Sequence, residues 1–127
     1  ADLATITRMQ RLKTGALISY ATEVGAILGM ARDEERQALS HFSHDIGLAY
    51  QIADDLIDVE STSETAGKTT GKDAASGKAN FVTYLGVDAA KERVQLLADQ
   101  ARSHLSVFGN RAQYLLQSVD YVIDRRY

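Results

Sequence analysis

The spacing of apolar residues along the chain predicts helices and no strands. Through most of its 127 residues, apolar side chains recur every three or four positions, the period of one helix face. Leu3, Ile6 and Met9 form a first short stripe, and a strongly apolar helix is predicted from Thr14 to about Ala31. No segment alternates in the way that a half-buried strand does. The expected fold class is therefore all-α, a helical bundle.

A longer helix is predicted next. Asp33 is a suitable N-cap, and Glu34 and Glu35 suit the positive N-terminal end of a helix. The helix should run to about Val59, because apolar residues recur at helical spacing up to that point. They are Ala38, Phe42, Ile46, Ala49, Ala53 and Leu56.

The apolar periodicity disappears between Glu60 and Lys78, where Ser, Thr, Gly and Lys dominate. We predict a loop there, and loops of this length in compact domains are usually functional or disordered. A short helix from Asn80 to Leu85 should follow and end at Gly86.

Two further helices are predicted in the last third of the chain. Asp88 can cap the first, and Gly109-Asn110 marks a stop and restart before the second. The apolar residues expected on their inner faces are Val94, Leu97, Ala98, Ala101 and Leu105 in the first and Leu115, Leu116, Val119, Val122 and Ile123 in the second.

The apolar helix at 14–31 suggests either a membrane span or a helix inside the bundle. It carries one charge, Glu23, and a Gly25-x-x-x-Gly29 spacing that lets helices pack closely. A span needs about 20 apolar residues, and hydroxyl-bearing side chains interrupt this run. We therefore predict a buried helix and no membrane span. Aromatic residues on the helical stripes are also assigned to the core, namely Tyr20, Phe42, Tyr84, Phe108, Tyr114 and Tyr121.

Composition narrows the classes of function. The chain has no cysteine, which excludes disulfides, thiolate zinc sites and a cysteine nucleophile. Its formal net charge of −3 is spread over mixed acids and bases, so no basic block predicts a nucleic-acid partner. The first residues lack a signal-peptide pattern, and the expected location is cytoplasmic.

An acidic group within residues 50–58 carries the strongest chemical signal. Asp54 and Asp58 lie one helical turn apart and Asp55 lies between them, so the carboxylates can converge. Like charges at this spacing destabilise a helix, and the dipole at its predicted C-terminal end adds to the penalty. A bound cation would offset both effects. Carboxylates without His or Cys suit Mg²⁺, which takes its other ligands from water and phosphates.

Taken alone, this motif could be a solvated acidic helix end. The residues that follow favour a site instead, because three glycine–lysine pairs occur at 67–68, 71–72 and 77–78. Glycine permits close backbone approach, and lysine supplies a compact charge for phosphate. Together these features predict a metal–diphosphate site. His41 and His44 are a weaker metal candidate, which we interpret as surface groups.

The order of these motifs resembles the trans-prenyltransferase family, which comprises farnesyl, geranylgeranyl and longer polyprenyl diphosphate synthases. The resemblance rests on Lys13-Thr14-Gly15, on Tyr50-Gln51 before Asp-Asp-x-x-Asp, and on the glycine–lysine pairs. It extends over nearly the whole chain. It implies an isoprenoid synthase-type helical fold and Mg²⁺-dependent transfer that joins an allylic diphosphate to isopentenyl diphosphate.

The resemblance also implies roles for individual residues. Asp54, Asp55 and Asp58 become the second aspartate-rich motif, which binds Mg²⁺ and the allylic diphosphate, and the first two join Lys13 as catalytic residues. Tyr50 and Asn80 depart from the usual phenylalanine and threonine without removing a charged ligand. The residues implied to contact the allylic substrate are Lys13, Thr14, Gln51, Lys68, Lys72 and Lys78.

Family members are about twice as long as this chain, and the resemblance covers their C-terminal half. Their first aspartate-rich motif and isopentenyl diphosphate groups lie in the other half. We therefore predict that residues 1–127 are the C-terminal portion of one all-α domain, inactive alone, and a homo-oligomer or a partner of the missing N-terminal half. A non-catalytic helical interaction or regulatory module is the alternative, and retention of the three aspartates and Lys13 argues against it.

Overall fold

The computed structural model describes residues 2–65 and 81–124, apart from the side chains at 7, 10, 11, 13 and 62–65. These two stretches contain no strand, which confirms the predicted all-α fold. In chain order the elements are α1 (Leu3–Gln10), a π-helix (Arg11–Gly15), α2 (Ala16–Leu28), α3 (Asp33–Thr65), α4 (Phe81–Leu85), α5 (Val87–His104), a 3₁₀ segment (Leu105–Ala112) and α6 (Gln113–Asp124).

The central element is α3, whose 33 residues give it a length of about 50 Å. It packs most extensively against α5, and α2 and α6 lie against other parts of its surface. The predicted inner face of α5 is confirmed, since its four predicted apolar positions are buried, as is Leu105 directly after the helix. The buried core joins these helices through Phe42, Ile46, Ala49, Ile52 and Leu56 of α3 and Ala90, Val94, Leu97, Ala98 and Ala101 of α5.

A buried carboxylate closes the N-terminal end of α3. The helix begins at Asp33 itself, and the backbone N–H of Arg32 donates to Oε1 of Glu35 at 2.9 Å. This bond is the return bond of a capping box, in which the third helical residue accepts the backbone N–H of the residue before the helix. The capping carboxylate at this end is therefore Glu35, three residues into the helix, whereas the sequence pointed to Asp33.

The predicted end of α3 at Val59 is wrong, because the helix continues to Thr65. Ser, Thr and Glu dominate its last turns, so the periodicity ends before the helix does. The predicted loop from Glu60 is therefore helical up to Thr65, and the rest of that loop lies outside the described residues.

The predicted punctuation of the C-terminal third is largely confirmed. Gly86 ends α4 with a φ of 89°, and Gly109 breaks the helical path with a φ of 57°, a region that favours glycine. The cap prediction for Asp88 is wrong. Here α5 begins at Val87, Gly86 occupies the N-cap position, and no side chain caps it.

The apolar helix α2 is much less buried than predicted, since Ala26 is its only buried residue. Leu17, Tyr20 and Leu28 are 68%, 69% and 78% exposed and lie along one face. The described part of the chain provides no helix to cover this face, which explains the failure of the burial prediction. Gly25 likewise meets no neighbouring atoms within 4 Å of an added Cβ, so the predicted close packing there is wrong.

The aromatic assignments divide in two. Phe42 is buried and Phe108 half-buried, as predicted, whereas the four tyrosines assigned to the core are more than half exposed. Helical spacing does not distinguish an aromatic ring in the core from one on a half-covered face. No described helix is long and apolar enough to cross a membrane. The exposed tyrosines are Tyr20, Tyr84, Tyr114 and Tyr121.

Candidate functional site

The three aspartates lie on α3 more than one turn before its end. Asp54 is half-buried, Asp55 is buried and Asp58 is exposed. Seven helical residues follow Asp58, which places the cluster inside the helix. The predicted penalty from the C-terminal dipole therefore does not apply, because that effect is confined to the last turn. Mutual repulsion of the carboxylates remains.

Asp55 makes a specific contact that the sequence did not predict. Its Oδ2 accepts a hydrogen bond from the backbone N–H of Phe81 at 3.1 Å, across 26 residues of chain. The Asp55 residue is only 8% exposed, and Phe81 is 1% exposed. This carboxylate is therefore part of the packed interior, whereas Asp58 on the same helix faces solvent.

A second link between α3 and the later helices lies just beyond the aspartates. Nζ of Lys91 in α5 lies 3.3 Å from Oε1 of Glu60 in α3. Both side chains are partly exposed, so the pair contributes little to stability on its own. The Lys91–Glu60 pair nevertheless brings a lysine to α3 at Glu60, which lies about two turns after Asp54. Neither residue stood out in the sequence, because no motif contains them.

The Lys13-Thr14-Gly15 motif occupies a π-helix rather than the start of an α-helix. Short π-helical insertions often mark functional sites. Thr14 and Gly15 are half-buried, and the side chain of Lys13 is outside the described part of the structure. The π-helix packs against α3, so the motif and the aspartate-bearing helix are neighbours.

Two glycines meet where the π-helix crosses α3. A Cβ added to Gly47 would lie 3.4 Å from Cα of Gly15 and 3.6 Å from Cδ1 of Ile18. The two backbones therefore approach closely, and at Gly47 a Cβ would already be in van der Waals contact, which leaves little room for a larger side chain. Gly47 lies one turn before Gln51 and two turns before Asp54 and Asp55. The spacing of these residues along α3 can be read from the sequence, whereas the contact of Gly47 with Gly15 cannot.

Gln51 is buried with 6% exposure, on the face of α3 that leads to Asp55. Its amide group can donate and accept hydrogen bonds. Gln51 and the three aspartates therefore lie on α3, and Thr14 lies on the π-helix that packs against it. The remaining predicted contacts, Lys68, Lys72 and Lys78, lie outside the described residues, as does the terminal Arg125-Arg126.

Within residues 2–65 and 81–124, no group of three or more His, Asp or Glu side chains is arranged to hold a metal ion by itself. The donors at the aspartate cluster are carboxylate oxygens of differing exposure. Such a set fits a cation that completes its coordination with water and a bound phosphate, as Mg²⁺ does, better than a cation that needs a closed protein cage.

The histidines form a separate cluster on the α3–α5 interface. His41 and His44 are exposed, as predicted, while Nε2 of His104 lies 3.2 Å from Oδ2 of the buried Asp45. The rings of His41 and His104 are 5.1 Å apart. They border a shallow cavity of about 460 Å³. The His104–Asp45 pair joins residues 59 positions apart, which sequence spacing could not reveal.

A strong electrostatic perturbation occurs at Glu35, far from the aspartates along α3. The backbone N–H of Arg32 and, secondarily, the guanidinium of Arg111 lower the pKa of Glu35 from the usual 4.5 to about 2. Both groups donate at 2.9 Å. Because the ionised form accepts these bonds, Glu35 is a structural carboxylate rather than a proton donor.

Comparison with known proteins gives a consistent result. The family model of polyprenyl synthetases matches residues 2–111. A dimethylallyltranstransferase of Fischerella ambigua (strain UTEX 1903) is 40% identical over 124 residues, which cover 98% of this chain and 36% of that protein. A geranylgeranyl diphosphate synthase of Cyanophora paradoxa is 34% identical over 123 residues, covering 97% and 41%.

Solved structures agree in fold. A crystal structure of an FPP/GFPP synthase from Zymomonas mobilis superposes with a TM-score of 0.81 at 46% sequence identity, covering 96% of this chain and 39% of that one. A putative farnesyl-diphosphate synthase from Marinomonas sp. MED121 gives a TM-score of 0.79 at 34% identity. The chain thus spans 36% and 41% of the two relatives described above.

Proposed function

This chain belongs to the polyprenyl synthetase family, and we propose that it supplies the allylic diphosphate half of an Mg²⁺-dependent prenyltransferase. The reaction would join an allylic diphosphate to isopentenyl diphosphate. The observation that carries the proposal is the packing of the Lys13-Thr14-Gly15 π-helix against the helix that bears Gln51 and the aspartates. The π-helix contacts α3 at Gly47, about two turns before Asp54, and this packing supports assigning the two motifs to one site.

Of the three aspartates in the motif, Asp54 and Asp58 are more exposed than Asp55 and are therefore more accessible to a cation. They lie one turn apart on α3, half-buried and exposed respectively. Bound there, Mg²⁺ would neutralise charge that builds up on the departing diphosphate. The motif assigned from the sequence also includes Asp55, whose part is considered in the next subsection.

The proposal assigns direct binding of the diphosphate to polar groups on α3 and on the π-helix packed against it. The amide of Gln51 and the hydroxyl of Thr14 can each donate a hydrogen bond to a phosphate oxygen. Lysines carry compact charges suited to the same oxygens, and the proposal assigns this role to Lys13, Lys68, Lys72 and Lys78. The isopentenyl diphosphate site is proposed to lie outside this chain.

Titration calorimetry with inorganic pyrophosphate on the 127-residue chain tests the site. Pyrophosphate should bind at least about tenfold more tightly with Mg²⁺ than without it, because each ligand completes the other's coordination. Asp54→Asn should abolish most of that gain. Asp124→Asn, an exposed aspartate on α6, is the matched control and should leave it unchanged.

Equal pyrophosphate affinity with and without Mg²⁺ would contradict the proposal. It would favour the non-catalytic interaction module, for which the exposed face of α2 offers an apolar surface. A gain that survives Asp54→Asn but disappears in the control variant would place the cation elsewhere on the chain.

A further inference from the structure

The aspartates of the 54–58 motif are not equivalent in the structure. Asp58 is exposed and Asp54 half-buried, while Asp55 is 8% exposed. A buried carboxylate is costly unless polar groups compensate it. One such group is the backbone N–H of Phe81, which donates to Oδ2 of Asp55 at 3.1 Å. Neighbouring positions in one motif therefore have different surroundings.

Phe81 is a fixed point of the core. Its residue is 1% exposed, and Val82 beside it is 5% exposed. The backbone N–H of Phe81 is buried with its residue and therefore needs an acceptor. A carboxylate is a strong acceptor for a buried amide.

The position of Phe81 in the fold gives this bond its importance. Phe81 lies 26 residues after Asp55 in the sequence and is packed in the core. Asp55 is one of the groups that hold it against α3. Asp54 precedes Asp55 directly on α3, so one peptide unit separates Asp54 from the residue that holds Phe81.

We infer that Asp55 is a positioning residue, which holds Phe81 and the helix α4 against the part of α3 that carries Asp54 and Asp58. On this assignment Asp54 and Asp58 are the aspartates that take the cation. Asp55 accepts a backbone amide instead. The cation part of the inference rests on the proposed function, whereas the anchoring part does not.

The two roles respond differently to one conservative change. Asn at position 55 keeps an oxygen that can accept the Phe81 amide but removes the charge that a metal ligand needs. Ala at the same position removes both. A positioning residue should therefore tolerate Asp55→Asn and not Asp55→Ala, whereas a metal ligand should tolerate neither.

Amide hydrogen exchange of the 127-residue chain, followed by NMR without metal, measures the anchor. Asp55→Ala should speed exchange at Phe81 by about tenfold or more, because a bond to a charged acceptor is lost. Asp55→Asn should change it by less than about threefold, since an acceptor remains. Asp54→Ala is the matched control and should leave Phe81 as protected as in the parent chain.

Calorimetry with Mg²⁺ and pyrophosphate measures the second half of the inference. Asp55→Asn should retain most of the Mg²⁺-dependent gain in affinity that Asp54→Asn loses. An equal loss in both variants would overturn the assignment, as would unchanged Phe81 exchange in Asp55→Ala.

The two measurements also separate this inference from the proposed function. If the parent chain shows no Mg²⁺-dependent gain, the proposed function fails, and the exchange data still decide the anchor. If Asp55→Ala does not fold, Asp55→Asn decides alone. Retained Phe81 protection with retained coupling supports the inference, and loss of either one overturns it.

Discussion

Glu35 and Arg111 lie 76 residues apart in the sequence, yet Nη2 of Arg111 donates a hydrogen bond to Oε2 of Glu35 at 2.9 Å. The other oxygen of Glu35 accepts the backbone N–H of Arg32. One carboxylate therefore closes the beginning of α3 and fastens the 3₁₀ segment Leu105–Ala112 to it. The end of α3 opposite to the aspartates is held by this group.

The first prediction concerns acid stability. The pKa of Glu35 is about 2 in the folded chain, below the usual 4.5, so the unfolded chain binds more protons in this range. The stabilisation is complete above about pH 4.5 and should be lost as the pH falls towards 2. Urea unfolding followed by circular dichroism at several pH values should show this slope.

Glu35→Gln should flatten that slope, because the substituted amide does not titrate. Arg111→Gln should flatten it less, since the backbone bond from Arg32 is the larger cause of the shift. Glu34→Gln changes an exposed neighbour and serves as the control. An acid slope as steep in Glu35→Gln as in the parent chain would show that other groups produce it.

The second prediction concerns the glycine contact between the π-helix and α3. Gly47→Val should destabilise the chain by about 1–3 kcal/mol, because its side chain must displace Gly15 or Ile18. Gly25→Ala should instead stabilise it by up to about 1 kcal/mol, since that helical glycine has open space around it. Urea unfolding gives both values. A neutral Gly47→Val would mean that the π-helix can move away without cost.

The third prediction concerns the exposed face of α2. Burying one large aliphatic side chain contributes about 1.5–3 kcal/mol, and several such side chains lie along this face. The isolated chain should therefore self-associate. Light scattering should show an oligomer, and Leu17→Gln combined with Leu28→Gln should shift it towards monomer.

Leu96→Gln is the control for that change, because Leu96 is exposed on α5 rather than on α2. A parent chain that remains monomeric at high concentration would refute the self-association argument. If Leu96→Gln dissociated the oligomer equally, the contact between copies of the chain would not be specific to the face of α2.

The fourth prediction ranks substitutions in a family-length protein that contains this chain. Asp54→Ala should reduce turnover severely, because under the proposed function it removes charge that holds the cation on the leaving group. Lys13→Ala should reduce the rate and raise the allylic KM. His41→Ala should do little, since His41 belongs to the separate histidine cluster.

A radiolabelled chain-elongation assay provides these values, and the purified 127-residue chain should give no product in it. If His41→Ala were as damaging as Asp54→Ala, the reacting groups would lie at the α3–α5 histidines instead. Turnover by the short chain would show that all of the required groups are already present.

The sequence correctly predicted those features of the fold that depend on residues close together along the chain. The helical repeat located α3 and the inner face of α5, and Gly86 and Gly109 ended helices where a positive φ is needed. The end of α3 was missed because its last turns carry no apolar repeat, so no periodic signal marks them.

The parts of the candidate site that were missed depend on contacts between distant residues. The motif spacing predicted a site at Asp54, Asp55 and Asp58 but could not reveal that Asp55 contacts Phe81. The sequence also gave no sign of the π-helix or of the approach of Gly15 to Gly47. Burial of α2 was overestimated because apolar composition shows what a helix could bury, not what is available to cover it.

The uninterrupted course of α3 limits how this chain can vary in length. Each inserted residue would rotate everything beyond it by about 100° and advance it by 1.5 Å. A single insertion between Gly47 and Asp54 would therefore rotate the aspartates relative to the contact of Gly47 with the π-helix and separate Asp55 from Phe81. A substitution in this stretch changes the contacts of one residue, whereas an insertion or deletion shifts the contacts of every residue beyond it. Homologous chains should accordingly differ here in residue identity while keeping the same number of residues.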